Sequence, residues 1–271
     1  MVFQNHVIKE CINMAEKKTV SASESGRKKR TNESGQTVVQ ATSQGSATGK
    51  RIGAVCLWLL AIAFEILAIL VVFKKIEKTF VPHIAAIVIL LVLDLICVII
   101  GAMLWKKSNR IDPASEKNKV KFWLWNNMGL IALIAAFFPF LILTLTNKEA
   151  DKKTKTISAV VAVIAIIIGG LCAYEWDPMS DEKKKELEGK YADSVLPEGK
   201  VYFSEYGKKY HLYEDCSHLS HSDKLYEVIP GAEENEGKAC VDVAIEYGCT
   251  DVCKTCETKF EKNKASTEEG K

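Results

Sequence analysis

Four long apolar runs, residues 52–73, 84–105, 122–145 and 157–174, fill the middle of the chain, with polar and charged sequence on both sides. A helix crossing a hydrocarbon layer about 30 Å thick at about 1.5 Å per residue needs about 20 apolar residues. The first three runs reach that length, and the fourth, 18 residues long, sits at the short end of the range. The runs are continuous rather than alternating, which predicts helices and not barrel strands. Buried helices of a soluble bundle would each carry a polar stripe, and none is visible. The expected fold class is mainly α and membrane-embedded, with the lipid bilayer as solvent for the runs. It comprises a bundle of four transmembrane helices over 52–174, followed by a small carboxy-terminal domain.

The flanks read differently. Residues 1–51 are rich in Ser, Thr, Gly and Gln without sustained periodicity, so this basic tail is expected to be disordered. Its cluster Arg27-Lys28-Lys29-Arg30 reads as a solvated, membrane-facing segment, where each charge contributes about 1 kcal/mol near anionic lipid. No signal-peptide pattern precedes the first run, and Met14 is an alternative start to Met1. After the fourth run, Asp177-Pro178 stops the helix. Residues 175–199 form a charged juxtamembrane linker whose segment 180–191 is expected to be a solvated helix. Residues 261–271 read as a second disordered tail.

The formal net charge of +2 hides an uneven distribution. Counting Lys and Arg near the runs, twelve fall on the side of the amino-terminal tail and seven on the other (Lys74, Lys75, Lys78, Lys148, Lys152, Lys153 and Lys155). The positive-inside rule then predicts a multi-pass cell-membrane protein with both termini cytoplasmic. Two acids, Glu65 and Asp94, lie deep in the first two runs, with no Lys or Arg inside any run to pair with them. A charge there costs about 2.5–3.5 kcal/mol on insertion scales, which the apolar residues of the run offset. The pair is either a proton or cation site, or hydrogen-bonded packing between two helices; Ala61 and Ala68 beside Glu65 suit close approach. Asn126 and Asn127 fall at the cytoplasmic interface, Pro139 is a kink candidate, and the tryptophans sit mostly near run ends, Trp58 further in.

Of nine cysteines, Cys56, Cys97 and Cys172 lie in the runs as small hydrophobes, and Cys11 lies in the tail. The other five crowd the last quarter, where residues 200–260 read as a compact domain. Val201-Tyr202-Phe203 and Lys209-Tyr210-His211-Leu212 predict a hairpin around Gly207, residues 225–229 a third strand, and Val241, Ala244 and Ile245 a helix stopped at Gly248. About 60 residues bury too little to be comfortably stable alone. In a reducing compartment the natural staple is a metal rather than a disulfide. Cys253-Lys-Thr-Cys256 supplies two thiolates from one turn, and His211 with Cys216 supplies two more ligands from the hairpin end, a donor set that suits Zn2+. Cys249, Cys240, His218 and His221 are the substitutes.

The stretch Gly207-Lys-Lys-Tyr-His211-Leu-Tyr-Glu-Asp-Cys216-Ser-His-Leu219, with Ala244-Ile-Glu-Tyr-Gly248 and Cys253-Lys-Thr-Cys256, resembles the small Ada-type zinc module. That module is known from bacterial DNA alkylation-repair proteins and as a tail on other bacterial proteins. The resemblance implies a small α+β zinc fold with His211, Cys216, Cys253 and Cys256 as ligands. The sequence departs from the repair family at its methyl-accepting cysteine, where His211 stands, and at the proline before the Cys-x2-Cys, which is Val252. Cys249 is extra. Residues 199–260 carry seven Lys, no Arg and twelve Asp or Glu, a balance that repels phosphates and argues against a nucleic-acid partner. The expected function is a non-enzymatic membrane protein presenting a cytoplasmic zinc-stabilised module to a protein partner or a signal. The alternative is a small transporter or channel subunit that uses Glu65 and Asp94, with the module as its regulator.

Overall fold

The computed structural model describes residues 28–73, 82–148 and 150–269, which fall into two compact units. Expectations for Arg27, Cys11, Met14 and the lysines at 74, 75 and 78 lie outside the described residues.

The first unit holds four helices long and apolar enough to cross a membrane: α1 (Ala47–Val72), α2 (His83–Ile111), α4 (Met128–Thr146) and α5 (Lys152–Ala173). A short helix, α3 (Lys119–Asn126), precedes α4. Each long helix turns one narrow seam inward, with buried positions three and four apart. On α1 these include Ala54, Trp58, Ala61, Glu65 and Ala68; on α2, Ile87, Leu91, Asp94, Val98 and Trp105; on α5, Ser158, Ala162, Ala165, Gly169 and Cys172. That spacing keeps the buried positions on one face of each helix. Only 33–39% of each apolar stretch is buried, and the outward positions remain apolar, among them Leu59, Ile66, Ile96, Phe138 and Ile167. Large exposed apolar surfaces of this kind mark contact with a membrane or with other protein.

Small residues set the helix spacing. A Cβ on Gly101 would lie 2.5 Å from Trp58 Nε1, and one on Gly129 would collide with the Ala102 side chain. Trp105 meets Trp58 at a tilt and Trp125 edge-on, with centroids 5.4 and 5.2 Å apart, and Trp105 Nε1 donates to the Trp125 carbonyl at 2.7 Å.

The third apolar run is not one helix. It breaks at Asn127, between α3 and α4. Asn118 caps α3 by accepting from the Lys121 amide at 3.0 Å. Asn127 Nδ2 donates to the Trp123 carbonyl, while its Oδ1 accepts from the Glu175 amide, both at 3.0 Å. The Asn127 amide also donates to the Trp123 carbonyl at 3.0 Å, and the Asn127 carbonyl accepts from the Ile131 amide at 3.1 Å, so backbone bonds bridge the break while the side chain shares the same carbonyl.

The second unit comprises residues 28–47, 109–116 and 177–269 of the described chain. Its main sheet has the order β1-β2-β5-β3, with β1 (Lys29–Thr31), β2 (Thr37–Gln40), β3 (Val201–Ser204) and β5 (Lys224–Val228). β2 runs parallel to β5, Val38 opposite Leu225 and Val39 opposite Tyr226, while β3 pairs antiparallel on the other side of β5. A two-stranded parallel ladder joins β4 (Lys209–Tyr210) to β6 (Asp251–Val252). The helices are α6 (Asp181–Lys190), α7 (Cys240–Glu246) and α8 (Lys254–Glu269).

The flanking segments depart from the sequence expectations. The described part of the tail, 28–46, is not disordered: Val38 and Val39 are fully buried in the core of this unit. Arg30, expected to be solvated, binds Glu214 at 2.9 Å and Glu227 at 3.0 Å. Burial pushes the Glu227 carboxyl up, but hydrogen bonds from Arg30 and Lys200 outweigh it and hold the group below the usual carboxylate range.

The segment 181–190 is a helix, as expected, but not a freely solvated one. Ser180 caps it, Leu187 is buried, and Lys184 reaches Asp242 at 2.6 Å. Residues 261–269 continue α8 instead of forming a loose tail.

Candidate metal centre

Backbone pairing brings the predicted ligands together. His211 follows β4 and is bonded to Tyr202 in both directions, its amide donating at 2.7 Å and its carbonyl accepting at 2.9 Å. Cys253 follows β6. Because Tyr210 and Val252 are register partners on parallel strands, the next residue of each strand emerges at the same end of the ladder. The Cys253 amide donates to the Tyr210 carbonyl at 2.8 Å, which locks that placement. Helix α8 starts at Lys254, so Cys256 rises from its first turn. Cys216 sits in the turn between Tyr213 and Leu219, in the same core as the buried side chains of Leu212 and Leu219.

The ligand atoms of His211, Cys216, Cys253 and Cys256 all lie within 4.8 Å of one another, and all four residues are buried. Cys216 Sγ is 4.0 Å from Cys253 Sγ, and Cys256 Sγ is 3.7 Å from His211 Nδ1. A tetrahedral ion about 2.3 Å from sulfur and about 2.0 Å from imidazole nitrogen sets sulfur–sulfur edges near about 3.8 Å and sulfur–nitrogen edges near about 3.6 Å. The cluster fits a metal ion in size and in donor chemistry.

Protonation fits as well. Burial, with smaller effects from His218 and Lys209, lowers His211 to about 4, so its imidazole is neutral and free to ligate at pH 7. Burial pushes the Cys216 thiol up and raises Cys256 to about 12. At Cys253 burial also acts upward, but the amides of Cys256 and Thr255 outweigh it and the thiol is lowered. A cation among the three sulfurs would supply the charge that burial withholds.

The substitutes separate cleanly. Cys240 Sγ faces the Val228 carbonyl and Cys249 Sγ the Gly207 carbonyl, each at 3.5 Å, while His221 meets Ser220 Oγ at 3.2 Å. His218 is different. It is exposed, yet its Nδ1 lies 3.7 Å from Cys253 Sγ and 3.8 Å from Cys216 Sγ. Spacing alone could not choose between His211 and His218; the β4–β6 register places the first inside, and the turn after Cys216 places the second outside.

In the first unit, Glu65 and Asp94 are both buried. Glu65 Oε1 accepts at 3.1 Å from the amide of Phe140, the residue after the helix-interior Pro139. Among the described residues, neither Asp94 oxygen has a hydrogen-bond partner.

Comparison of the chain with protein-family models, curated proteins and solved structures returned no match. The class defined by fold and site is a largely helical chain with four membrane-length apolar helices and a small sheet unit. That unit carries a buried cluster of one histidine and three cysteines able to hold a metal ion.

Proposed function

We propose that this is a multi-pass membrane protein, both termini cytoplasmic, whose second unit is a zinc-stabilised module serving protein contact or sensing rather than catalysis. The observation that carries the reading is the convergence of four buried donors, three of them sulfurs, within 4.8 Å. Soft thiolates favour zinc over magnesium, calcium or manganese, and four protein ligands leave no open coordination position for a substrate. His211 and the three cysteines would hold the ion, and the ion would tie the β4–β6 ladder to α8. The Ada-type resemblance supports the same ligand set, and the acidic balance of residues 199–260 favours a protein over a nucleic-acid partner.

Metal analysis of the full chain purified in detergent tests this. One zinc per chain, lost in a Cys253→Ser, Cys256→Ser double variant, is expected. Substoichiometric metal in the wild-type chain overturns it.

One observation favours a second reading, in which the bundle is a small transporter or channel subunit. A fully buried carboxyl such as Asp94, with no hydrogen-bond partner among the described residues, is costly unless something binds it. Proteoliposome flux of protons or alkali cations that vanishes in Glu65→Gln and Asp94→Asn would support it, and unchanged flux would remove it.

A further inference from the structure

The cluster has two faces. Cys216, Cys253, Cys256 and His211 form the buried tetrad, while the Cys216–Cys253 edge is shared with a second group of donors. The three separations of that group are 4.0 Å between the sulfurs, 3.8 Å from His218 Nδ1 to Cys216 and 3.7 Å from His218 Nδ1 to Cys253. They form a nearly equilateral triangle whose edges match those of a coordination tetrahedron around zinc, about 3.6–3.8 Å. The tetrad's remaining members, His211 and Cys256, are 6% and 1% exposed, whereas His218 and its neighbour Ser217 are open to solvent.

We propose that His218, with Cys216 and Cys253, is the solvent-side donor set through which a metal ion enters and leaves the buried tetrad. The inference rests on the zinc reading above. Thiolate sulfur has lone pairs enough to keep its bond while an ion shifts position, and zinc tolerates a fifth ligand transiently. An ion can therefore stay bound to Cys216 and Cys253 throughout while His218 gives way to His211 and Cys256 on the way in, and replaces them on the way out. No step exposes a bare ion to the apolar interior. The consequence is a metal that binds tightly yet exchanges with solution, as a sensing module requires and a purely structural one does not.

A donor used only in transit changes entry and exit rates by the same factor and leaves the equilibrium affinity alone. This separates the proposal from two other roles for His218. A hydrogen bond from His218 to the thiolates would hold them in place, so removing it would quicken exchange. A permanent ligand would, when removed, weaken affinity.

The test uses the full chain in detergent, loaded with one zinc isotope and challenged with a second. Affinity is measured in parallel by competition with a chromogenic chelator. His218→Ala and His218→Gln, which keeps a hydrogen-bonding group but no imidazole, are each expected to slow isotope exchange about tenfold or more while affinity stays within about threefold; His211→Ala is expected to weaken affinity about a hundredfold. Unchanged or faster exchange in both His218 variants overturns the proposal, as does an affinity loss equal to that of His211→Ala. Those results leave the zinc reading standing; a wild-type chain that takes up no stoichiometric zinc removes both.

Discussion

Replacing Val38 by Ala tests whether the segment before the first apolar helix belongs to the folded core. Val38 is fully buried on β2, opposite Leu225 of β5. The substitution removes two methyl groups, worth about 1.6 kcal/mol at about 0.8 per buried carbon. A residual cavity of about 40 Å³ adds about 1 kcal/mol. The expected loss is about 2.5 kcal/mol, felt by the sheet unit. Amide hydrogen exchange on the full chain in detergent reads it directly, because Leu225 and Glu227 lie on the strand that β2 flanks. Their amides should exchange about 60-fold faster if they open only with the sheet. Val195→Ala, at a side chain 49% exposed in the same unit, is the control and should change protection by less than about 0.5 kcal/mol. Equal protection in Val38→Ala and the control would refute the placement of β2, because a solvated tail has no core contacts to lose.

Stripping the metal with a chelator removes an apparent binding energy of about 10–16 kcal/mol, as large as a typical domain's whole stability, so amide protection in β4, β6 and the first turn of α8 should collapse; retained protection in a metal-free sample would contradict the role given to the cluster. Gly129→Val drives a side chain into Ala102 and should cost the bundle about 1–3 kcal/mol by overpacking. Ala102→Gly in the same chain should restore part of the loss in a detergent-denaturation assay, and failure to do so would mean the two helices do not meet there.

Local pattern was enough for much of this protein. An unbroken apolar run of membrane length is visible in any window of the chain, since every residue in it needs the same environment. Each of the four runs overlaps one of the four long helices found among the described residues, the third only from Met128 onward. Cys-x2-Cys on one turn and a His-x4-Cys beyond a hairpin are likewise short-range signals, and all four of those residues converge.

Tertiary structure decided what short windows do not hold. Thr37-Val-Val-Gln40 is four residues after a turn, too short to announce a strand, and it has a core only because β5, far along the chain, lies alongside. The charge on Arg30 looked free because Glu214 and Glu227 are equally remote in sequence. The third run read as one helix because hydropathy does not register the tie between Asn127 Oδ1 and the Glu175 amide, 48 residues along the chain. Which histidine faces inward was settled by the pairing of β4 with β6, a long-range register that residue spacing does not encode.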